Sequence, residues 1–206
     1  LGVFNANNFA SKAPPGSCQV FRPNGPGTTS FINLEGECQG ELPQYVAQFN
    51  GVNSQITTSE GYPAPNALTI SGWFFSTAFT NNYQFPIDSN PEATWRIGFN
   101  SANQIFFDPG SHSDVSLSNT NVKLNVWYFV AFTAQDSGSS TIWNFYLNGQ
   151  LVATSSVGQL IQGVSAIGLG DYAYTFTGQL SNVQIYNTSL SANEIQALYQ
   201  EGIGGA

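Results

Sequence analysis

From residue 44 to the C-terminus, short runs of alternating apolar and polar residues recur between turns rich in Gly, Asn, Asp and Ser. Many short strands divided by regular turn signals are typical of antiparallel β-sandwiches. In the run Ala93–Phe99, for example, Trp95 and Ile97 share one face with the closing Phe. The pattern predicts an all-β fold in which two antiparallel sheets pack face to face, a jelly-roll sandwich.

The runs place the individual strands. The pair Asn148-Gly149 is the strongest short hairpin signal in the chain, because both residues tolerate the positive φ angles of a tight turn. The predicted strands are Thr28–Leu34, Tyr45–Phe49, Ala67–Phe75, Ala93–Phe99, Gln104–Phe107, Val126–Thr133, Thr141–Leu147, Leu151–Thr154, Ala166–Leu169 and Gln179–Tyr186.

One short C-terminal helix is predicted. Ser191 is a favourable N-cap, and Glu194 three residues later completes a capping box. Leu198 and its apolar neighbours follow on one face, and Gly202 ends the helix.

Residues 1–43 differ from the rest and are interpreted as an N-terminal arm preceding a single domain over 44–206. The arm contains Pro- and Gly-rich segments such as Pro14-Pro15-Gly16, which interrupt regular structure. It also carries the two cysteines of the chain, Cys18 and Cys38. We expect these to form a disulfide that closes a loop of about twenty residues. Two unpaired buried thiols are the alternative.

The charge balance limits the partners. Charged residues make up only 8% of the chain, and the formal net charge is −8. Nucleic acids and anionic membrane surfaces are bound through clustered Lys and Arg, and four scattered basic residues form no such cluster. No apolar run is long enough to insert into a membrane. Neutral polar ligands such as carbohydrates, and cations such as calcium, remain compatible.

The chain begins at Leu1 and contains no Met. We interpret this as removal of a signal or anchor from a precursor, with a trimmed boundary as the alternative. Together with the cysteine pair, it predicts an extracellular or cell-surface location.

Six segments resemble the laminin-G-like, concanavalin A-like family of lectins and glucanases. They occur in the family's order and at its spacing over about residues 45–200. The segments are Phe49-Asn50-Gly51, Leu68–Trp73, Trp127–Thr133, Phe145–Gly149, Phe176–Tyr186 and Leu190–Ile195. The resemblance implies a two-sheet jelly roll. It implies less about function, because this fold is shared by lectins, adhesion modules, glycosidases and structural domains.

Carboxylates are not placed as a glycosidase requires. Glycoside hydrolases of this fold carry two or three carboxylates on one strand at alternate positions, and no E-x-D pattern occurs here. The nearest pairs, Glu35 with Glu37 and Asp108 with Asp114, are interpreted as arm or loop residues. His112, the only histidine, is interpreted as a surface-loop residue. The chain is therefore predicted not to be an enzyme.

Aromatic residues could stack on sugar rings. Most of the tryptophans share faces with aliphatic residues and are interpreted as core, and truncating Trp127 is expected to unfold the domain. Tyr172 and Tyr174, in the loop 170–175, are the better candidates for an exposed ligand-binding rim. The four tryptophans are Trp73, Trp95, Trp127 and Trp143.

Two further sites are candidates. Asp88, Asp136 and Asp171 are interpreted as loop residues that could help to hold a calcium ion, although no loop has the dense oxygen pattern of a dedicated site. Asn187-Thr188-Ser189 is a glycosylation sequon on a predicted turn.

Two functional hypotheses follow, with a glycoside hydrolase as a third and less favoured one. The first is a non-catalytic recognition or adhesion module that binds carbohydrate or a cell-surface partner. The second is a structural subunit of a surface layer or filament, in which the apolar residues of 1–10 link neighbouring copies through a sheet edge. Alternatively, residues 1–10 fold back over the edge of their own sheet.

Overall fold

The structure of the 206-residue chain, a computed structural model, describes residues 3–4, 19–23, 29–33, 46–79, 83–90, 94–109, 115–170 and 174–202. In this part it contains fifteen strands and one helix. They are β1 Val3–Phe4, β2 Gln19–Pro23, β3 Thr29–Asn33, β4 Ala47–Asn50, β5 Ile56–Thr57, β6 Ala67–Ser76, β7 Gln84–Asn90, β8 Arg96–Phe99, β9 Gln104–Asp108, β10 Val115–Asn121, β11 Trp127–Ser137, β12 Ser140–Leu147, β13 Gln150–Val157, β14 Ala166–Leu169, β15 Thr177–Tyr186 and α1 Ala192–Glu201.

The strands form two antiparallel sheets. The larger one has the order β1-β15-β6-β11-β12-β13, with β4 also pairing on β15. The smaller one has the order β10-β9-β8-β7-β14-β5, and β2 and β3 make a separate two-stranded pair. The predicted all-β architecture with one C-terminal helix is confirmed, and the topology is compatible with a jelly roll.

The main core fills the space between the two sheets. In β11, Val130, Phe132 and Ala134 point into it, because alternate side chains of a strand face the same side. The Phe132 ring lies 5.6 Å from Trp95, which directly precedes β8 of the smaller sheet. Large aromatic residues from both sheets therefore hold the layers together.

A second, smaller core lies on the opposite face of the larger sheet, beneath α1. Trp73 and Phe129 are buried there against Leu198 of the helix. Tyr199 stacks on Trp73 with 5.5 Å between ring centroids and 19° between planes. The helix is therefore an integral part of the domain.

The tryptophan interpretation holds for three of the four residues. Trp95 and Trp143 are buried between the sheets, and Trp73 is buried under the helix. Trp127 is the exception, because it lies half-buried on the helix side of the sheet, with its ring 5.3 Å from Phe75. Trp127 occupies the first position of β11, where the sheet face is only partly covered.

The predicted hairpin turn and the predicted caps of the helix are both confirmed. Asn148 and Gly149 have φ angles of 49° and 77° and connect β12 to β13 as a two-residue hairpin. Ser191 caps α1 with both bonds of the capping box, and Gly202 ends the helix at φ 79°. The Ser191 hydroxyl also lowers the pKa of Glu194.

Ser191→Ala is expected to lower the free energy of unfolding by about 1 kcal/mol, because an orphan N–H of the first helical turn loses its acceptor. Chemical denaturation of the variant and the wild type measures the difference. Asn193→Ala, two residues away and also exposed, is the control that should stay within about 0.5 kcal/mol of the wild type. Equal losses in the two variants would contradict the capping role.

Sequence patterns missed β7, β10, the arm strand β2 and the two-residue strands β1 and β5. Pro86 lies inside β7, and a proline in a run argues against a central strand because it cannot donate to the ladder. The structure accommodates it with a register shift between Gln84 and Ile87 where β7 pairs with β8. The sequence of β10, VSLSNTN, alternates apolar and polar residues only from Val115 to Ser118 and then continues with polar residues alone.

The N-terminal strand pairs within its own chain. Val3 and Phe4 lie opposite Gln184 and Val183 of β15, at the edge that β4 also occupies. This is the fold-back alternative for these two residues. Cys18 and Cys38 lie outside the described residues, so their disulfide stays a prediction, as does the arm boundary at residue 43. No helix in the described ranges has the length and apolar character needed to cross a membrane.

Candidate functional site

The outer face of the smaller sheet, away from the core, carries a group of aromatic side chains around one arginine. We call this group the Arg96 cluster. Its members are Tyr83, Phe85, Arg96, Phe106, Asp108 and Tyr174.

Strand alternation explains half of the cluster. In β8 and β9, Ile97, Ile105 and Phe107 face the core. Arg96, Phe106 and Asp108 therefore face outward, since adjacent residues of a strand point to opposite sides.

A bulge brings Phe85 to the same face. In a regular strand Phe85 would share the core side with Ile87, but the register shift between Gln84 and Ile87 breaks the alternation. Gly98 of β8 permits this, because a Cβ at that position would lie 2.9 Å from Cδ1 of Phe85 and would collide with the Gln84 carbonyl. The Phe85 ring then lies 5.8 Å from that of Phe106.

Arg96 is held by a carboxylate and a ring. Its Nη2 and Nε donate to Oδ2 of Asp108 at 2.6 and 3.2 Å. Its Cζ lies 4.5 Å from the centroid of Phe85, a cation–π arrangement. The Asp108 side chain is only 3% exposed, whereas that of Arg96 keeps 22%. The guanidinium is therefore held by the carboxylate, and the Arg96 side chain as a whole remains partly exposed.

Two tyrosines complete the rim. Tyr174 meets Phe85 edge-on, with ring centroids 5.3 Å apart, and its own ring centroid is 6.0 Å from Cζ of Arg96. Tyr83 is exposed and its ring lies 5.0 Å from that of Phe106. The exposed Tyr83 and the half-buried Tyr174 thus border two buried phenylalanine rings and a partly exposed arginine side chain.

Beside the cluster, three charged residues lie opposite one another on neighbouring strands of the smaller sheet. Asp88 of β7 is the cross-strand neighbour of Arg96, which in turn faces Asp108 of β9. On its other side Asp88 faces Gly168 of β14, where any Cβ would collide with the Asp88 carboxylate. Two carboxylates thus flank one arginine.

The structure tests the position of some predicted site residues. Tyr174 lies in the Arg96 cluster and Asp88 lies next to it. Two of the predicted site residues, one a ligand-binding and one a metal-binding candidate, are therefore close together. Asp88 is on strand β7, not in a loop as expected. Tyr172, Asp171 and His112 lie outside the described residues.

Asp136 is also on a strand, near the end of β11, and not in a loop. Its Oδ1 accepts hydrogen bonds from the Thr141 hydroxyl at 2.6 Å and from the Ile161 amide at 3.0 Å. The carboxylate therefore fixes the loop after β13. Calcium needs six to eight oxygen ligands, and in the described ranges no three Asp, Glu, His or Cys side chains come together. Calcium binding at Asp136 stays a prediction.

Asn187 is exposed and lies in the turn that follows β15. Its position leaves the side chain accessible, as a glycosylation sequon requires. Modification itself stays a prediction.

Sequence reasoning missed most of the cluster. Asp108 was interpreted as a loop residue, but it ends strand β9 and is buried in an ion pair. Phe85 lies in the strand that Pro86 concealed. One sequence signal was available. Arg96 is an isolated charged residue on the polar face of the strand that became β8.

The fold has relatives among solved structures. Domain 4 of AbnA, a GH43 extracellular arabinanase from Geobacillus stearothermophilus solved in complex with arabinotriose, is 18% identical with a TM-score of 0.57, over 75% of this chain and 76% of that one. The CBM40 of Ruminococcus gnavus IT-sialidase, bound to α2,3-sialyllactose, is 21% identical with a TM-score of 0.53, over 71% and 97%. A heptameric SAP-like pentraxin from Limulus polyphemus is 17% identical with a TM-score of 0.57, over 75% and 80%.

At these identities the structures show a shared fold alone. No curated protein sequence matches the chain. A family model does match, over residues 50–196, which include every strand of the sandwich from β5 to β15. This range also contains the hairpin, the closing strand and most of the motifs on which the resemblance was based. The chain belongs to the concanavalin A-like lectin/glucanases superfamily.

Proposed function

We propose that the protein is a non-catalytic, extracellular or cell-surface recognition module that binds carbohydrate at the Arg96 cluster. The observation that carries the proposal is the joint presence of two tyrosine rings, one exposed and one half-buried, and a fixed, partly exposed arginine side chain on one sheet face. Sugar rings present C–H faces that pack on aromatic rings and hydroxyls that accept hydrogen bonds from fixed donors.

The geometry assigns each group a part. Tyr174 and Tyr83 offer ring surfaces to the sugar. Arg96 donates to Asp108 through Nε and Nη2, which leaves Nη1 to donate to a hydroxyl of the ligand. Because Asp108 already holds the guanidinium in place, little conformational entropy is lost when a ligand binds.

The relatives support the ligand class. Two of them, the arabinanase domain and the CBM40, share the fold of this chain at low sequence identity. Both were solved with an oligosaccharide bound. Their ligands differ, arabinotriose in one and sialyllactose in the other. They support carbohydrate as a class and leave the individual glycan to experiment.

A glycosidase is the competing function, since the superfamily includes glucanases. Hydrolysis requires two carboxyl groups on either side of the scissile bond. Of the carboxylates near the cluster, Asp108 is buried and engaged by Arg96, which also stands between it and Asp88. This arrangement favours binding over hydrolysis. Turnover of β-glucans by the purified chain, abolished by a substitution at Asp88 or Asp108, would contradict the non-catalytic proposal.

The test of the site is a glycan array followed by titration of the best ligand. Tyr174→Ala is expected to raise the dissociation constant about tenfold or more, because it removes a ring that borders the site. Tyr174→Phe keeps the ring and is expected to stay within about threefold of the wild type. Absence of binding to any glycan, or an unchanged affinity in Tyr174→Ala, would refute the proposal.

A further inference from the structure

The charged residues of the smaller sheet form one row across its outer face. Asp108 of β9, Arg96 of β8 and Asp88 of β7 are successive cross-strand neighbours. Directly opposed residues of antiparallel strands point to the same side, so all three side chains lie on the face of the Arg96 cluster. The strands of this sheet, as the structure describes them, contain no other charged residue. Two carboxylates against one guanidinium give the row a formal charge of −1.

The positive charge of this row is already engaged. Arg96 donates to Oδ2 of Asp108 through Nη2 at 2.6 Å and through Nε at 3.2 Å. The Asp108 side chain is only 3% exposed, so breaking the pair would leave a buried carboxylate uncompensated. Arg96 can therefore donate a further hydrogen bond to a neutral acceptor, but its compensated charge attracts a second carboxylate only weakly.

Asp88 adds a carboxylate on the other side of Arg96. Asp88 is half-buried, and its Oδ1 occupies the space over Gly168 of β14 that any Cβ there would need. The glycine therefore seats the carboxylate on the sheet face, one strand away from Arg96. Opposed residues of antiparallel strands have Cα atoms about 4.5–5.5 Å apart. A ligand group that reaches Arg96 thus also comes close to Asp88.

We propose that Asp88 makes the Arg96 cluster selective for neutral glycans and excludes sugars that carry a carboxylate, an inference that rests on the proposed function. A sugar hydroxyl accepts a hydrogen bond from Arg96 without bringing charge to the row. The carboxylate of a uronic or sialic acid at the same place would meet Asp88, and like charges this close repel one another. The net charge of −8 on the whole chain adds a weaker, longer-range repulsion of acidic glycans.

An arginine on a sugar-binding face would by itself favour the opposite preference, since a guanidinium binds carboxylates in a bidentate manner. At the Arg96 cluster the protein supplies that carboxylate itself, from Asp108. Asp88 then decides the sign of the charge that an incoming ligand meets. Asp88 is therefore a specificity-determining residue, whereas the tyrosines supply ring surface for neutral and acidic sugars alike.

The test is titration of the full chain with matched pairs of oligosaccharides. Cellotriose, mannotriose and galactotriose are each compared with the form in which one primary hydroxyl is oxidised to a carboxylate, and α2,3-sialyllactose is compared with its neutral amide. In each pair that binds, the neutral member is expected to bind the wild type at least about tenfold more tightly.

Asp88→Asn keeps the shape of the side chain and removes its charge. It is expected to reduce the preference for the neutral member to less than about threefold, through tighter binding of the acidic member. Glu201→Gln is the matched control, because it removes the same charge from α1, on the outer face of the other sheet. Its preference should stay within about twofold of the wild type.

Salt provides a second measurement on the wild type that needs no variant. Raising the salt concentration from about 10 mM to about 1 M shortens the screening length from about 30 Å to about 3 Å. Screened repulsion is expected to lower the dissociation constants of the acidic members and to leave those of the neutral members unchanged. If Arg96 attracted acidic sugars, salt would raise the dissociation constants of the acidic members instead.

Two kinds of failure are distinguishable. Equal or tighter binding of the acidic members by the wild type, or an unchanged preference in Asp88→Asn, would overturn the selectivity and leave the carbohydrate site intact. Failure of every neutral oligosaccharide to bind, or an unchanged affinity in Tyr174→Ala, would refute the site itself and the selectivity with it.

Discussion

Trp95→Ala is expected to lower the free energy of unfolding by about 3–5 kcal/mol, the cost of truncating a fully buried tryptophan. The Trp95 side chain is 1% exposed and lies between the two sheets, against Phe132 of the larger one. Its Nε1 donates to the Tyr62 hydroxyl at 2.6 Å, in surroundings where burial raises the pKa of Tyr62. Truncation therefore leaves a cavity and also removes the donor of a buried hydroxyl.

Trp95→Phe separates these two effects. It keeps most of the packing volume but removes the N–H that Tyr62 accepts. We expect it to cost about 1–3 kcal/mol, the penalty of leaving one buried polar group without its partner. Urea denaturation of both variants gives the two values, with the slope of the transition as a check that the unfolded state is unchanged.

Trp127→Ala is the comparison that the structure provides. Trp127 is half-buried on the other face of the larger sheet, where its ring contacts Phe75. Its truncation should cost no more than half as much as that of Trp95, because the site stays open to water. If Trp127→Ala destabilised the protein as much as Trp95→Ala, the face assigned to β11 would be wrong by one residue.

The difference between these two tryptophans shows what sequence patterns could and could not supply. In β11, alternation alone defines two faces, and both are apolar because one meets the other sheet and the other meets α1. Nothing local distinguishes the fully covered face from the partly covered one. The helix boundaries and the Asn148-Gly149 hairpin were predictable because each depends on hydrogen bonds or φ angles of neighbouring residues.

The Arg96 cluster was not predictable in the same way. Phe85, Arg96 and Tyr174 come from separate segments, and only the pairing of β7 with β8 and the contacts of the loop before β15 bring them together. Pro86 concealed β7 because the bulge that accommodates it has no sequence signature. Tyr174 was found because an aromatic residue in a predicted loop is unusual enough to single out, without knowledge of its neighbours.

Arg96→Met is the second large effect, with an expected loss of about 3 kcal/mol in the free energy of unfolding. Removing one partner of a buried ion pair leaves the other charge uncompensated, which costs about 3–5 kcal/mol. The lower end applies because the Arg96 side chain is 22% exposed, although Asp108 is only 3% exposed. Methionine retains the apolar stem over Phe85, so that the loss reports the charge and its hydrogen bonds.

The double variant Arg96→Met/Asp108→Asn should recover a large part of that loss. Asparagine carries no charge that needs compensation, so the penalty that follows from removing the guanidinium is largely absent. Denaturation of the wild type, both single variants and the double variant completes a thermodynamic cycle, and the coupling energy is expected to reach about 2 kcal/mol. Additive losses would mean that Arg96 and Asp108 do not depend on each other for stability.

The same double variant separates stability from recognition. Because it is expected to be folded, its affinity for the glycan found on the array reports the ligand contact of Arg96 alone. If Arg96 donates to a sugar hydroxyl, the double variant should bind at least tenfold more weakly, since one charged hydrogen bond contributes about 1.5–3 kcal/mol. Unchanged affinity in a folded double variant would restrict Arg96 to holding the sheet face together, with the tyrosines left as the ligand contacts.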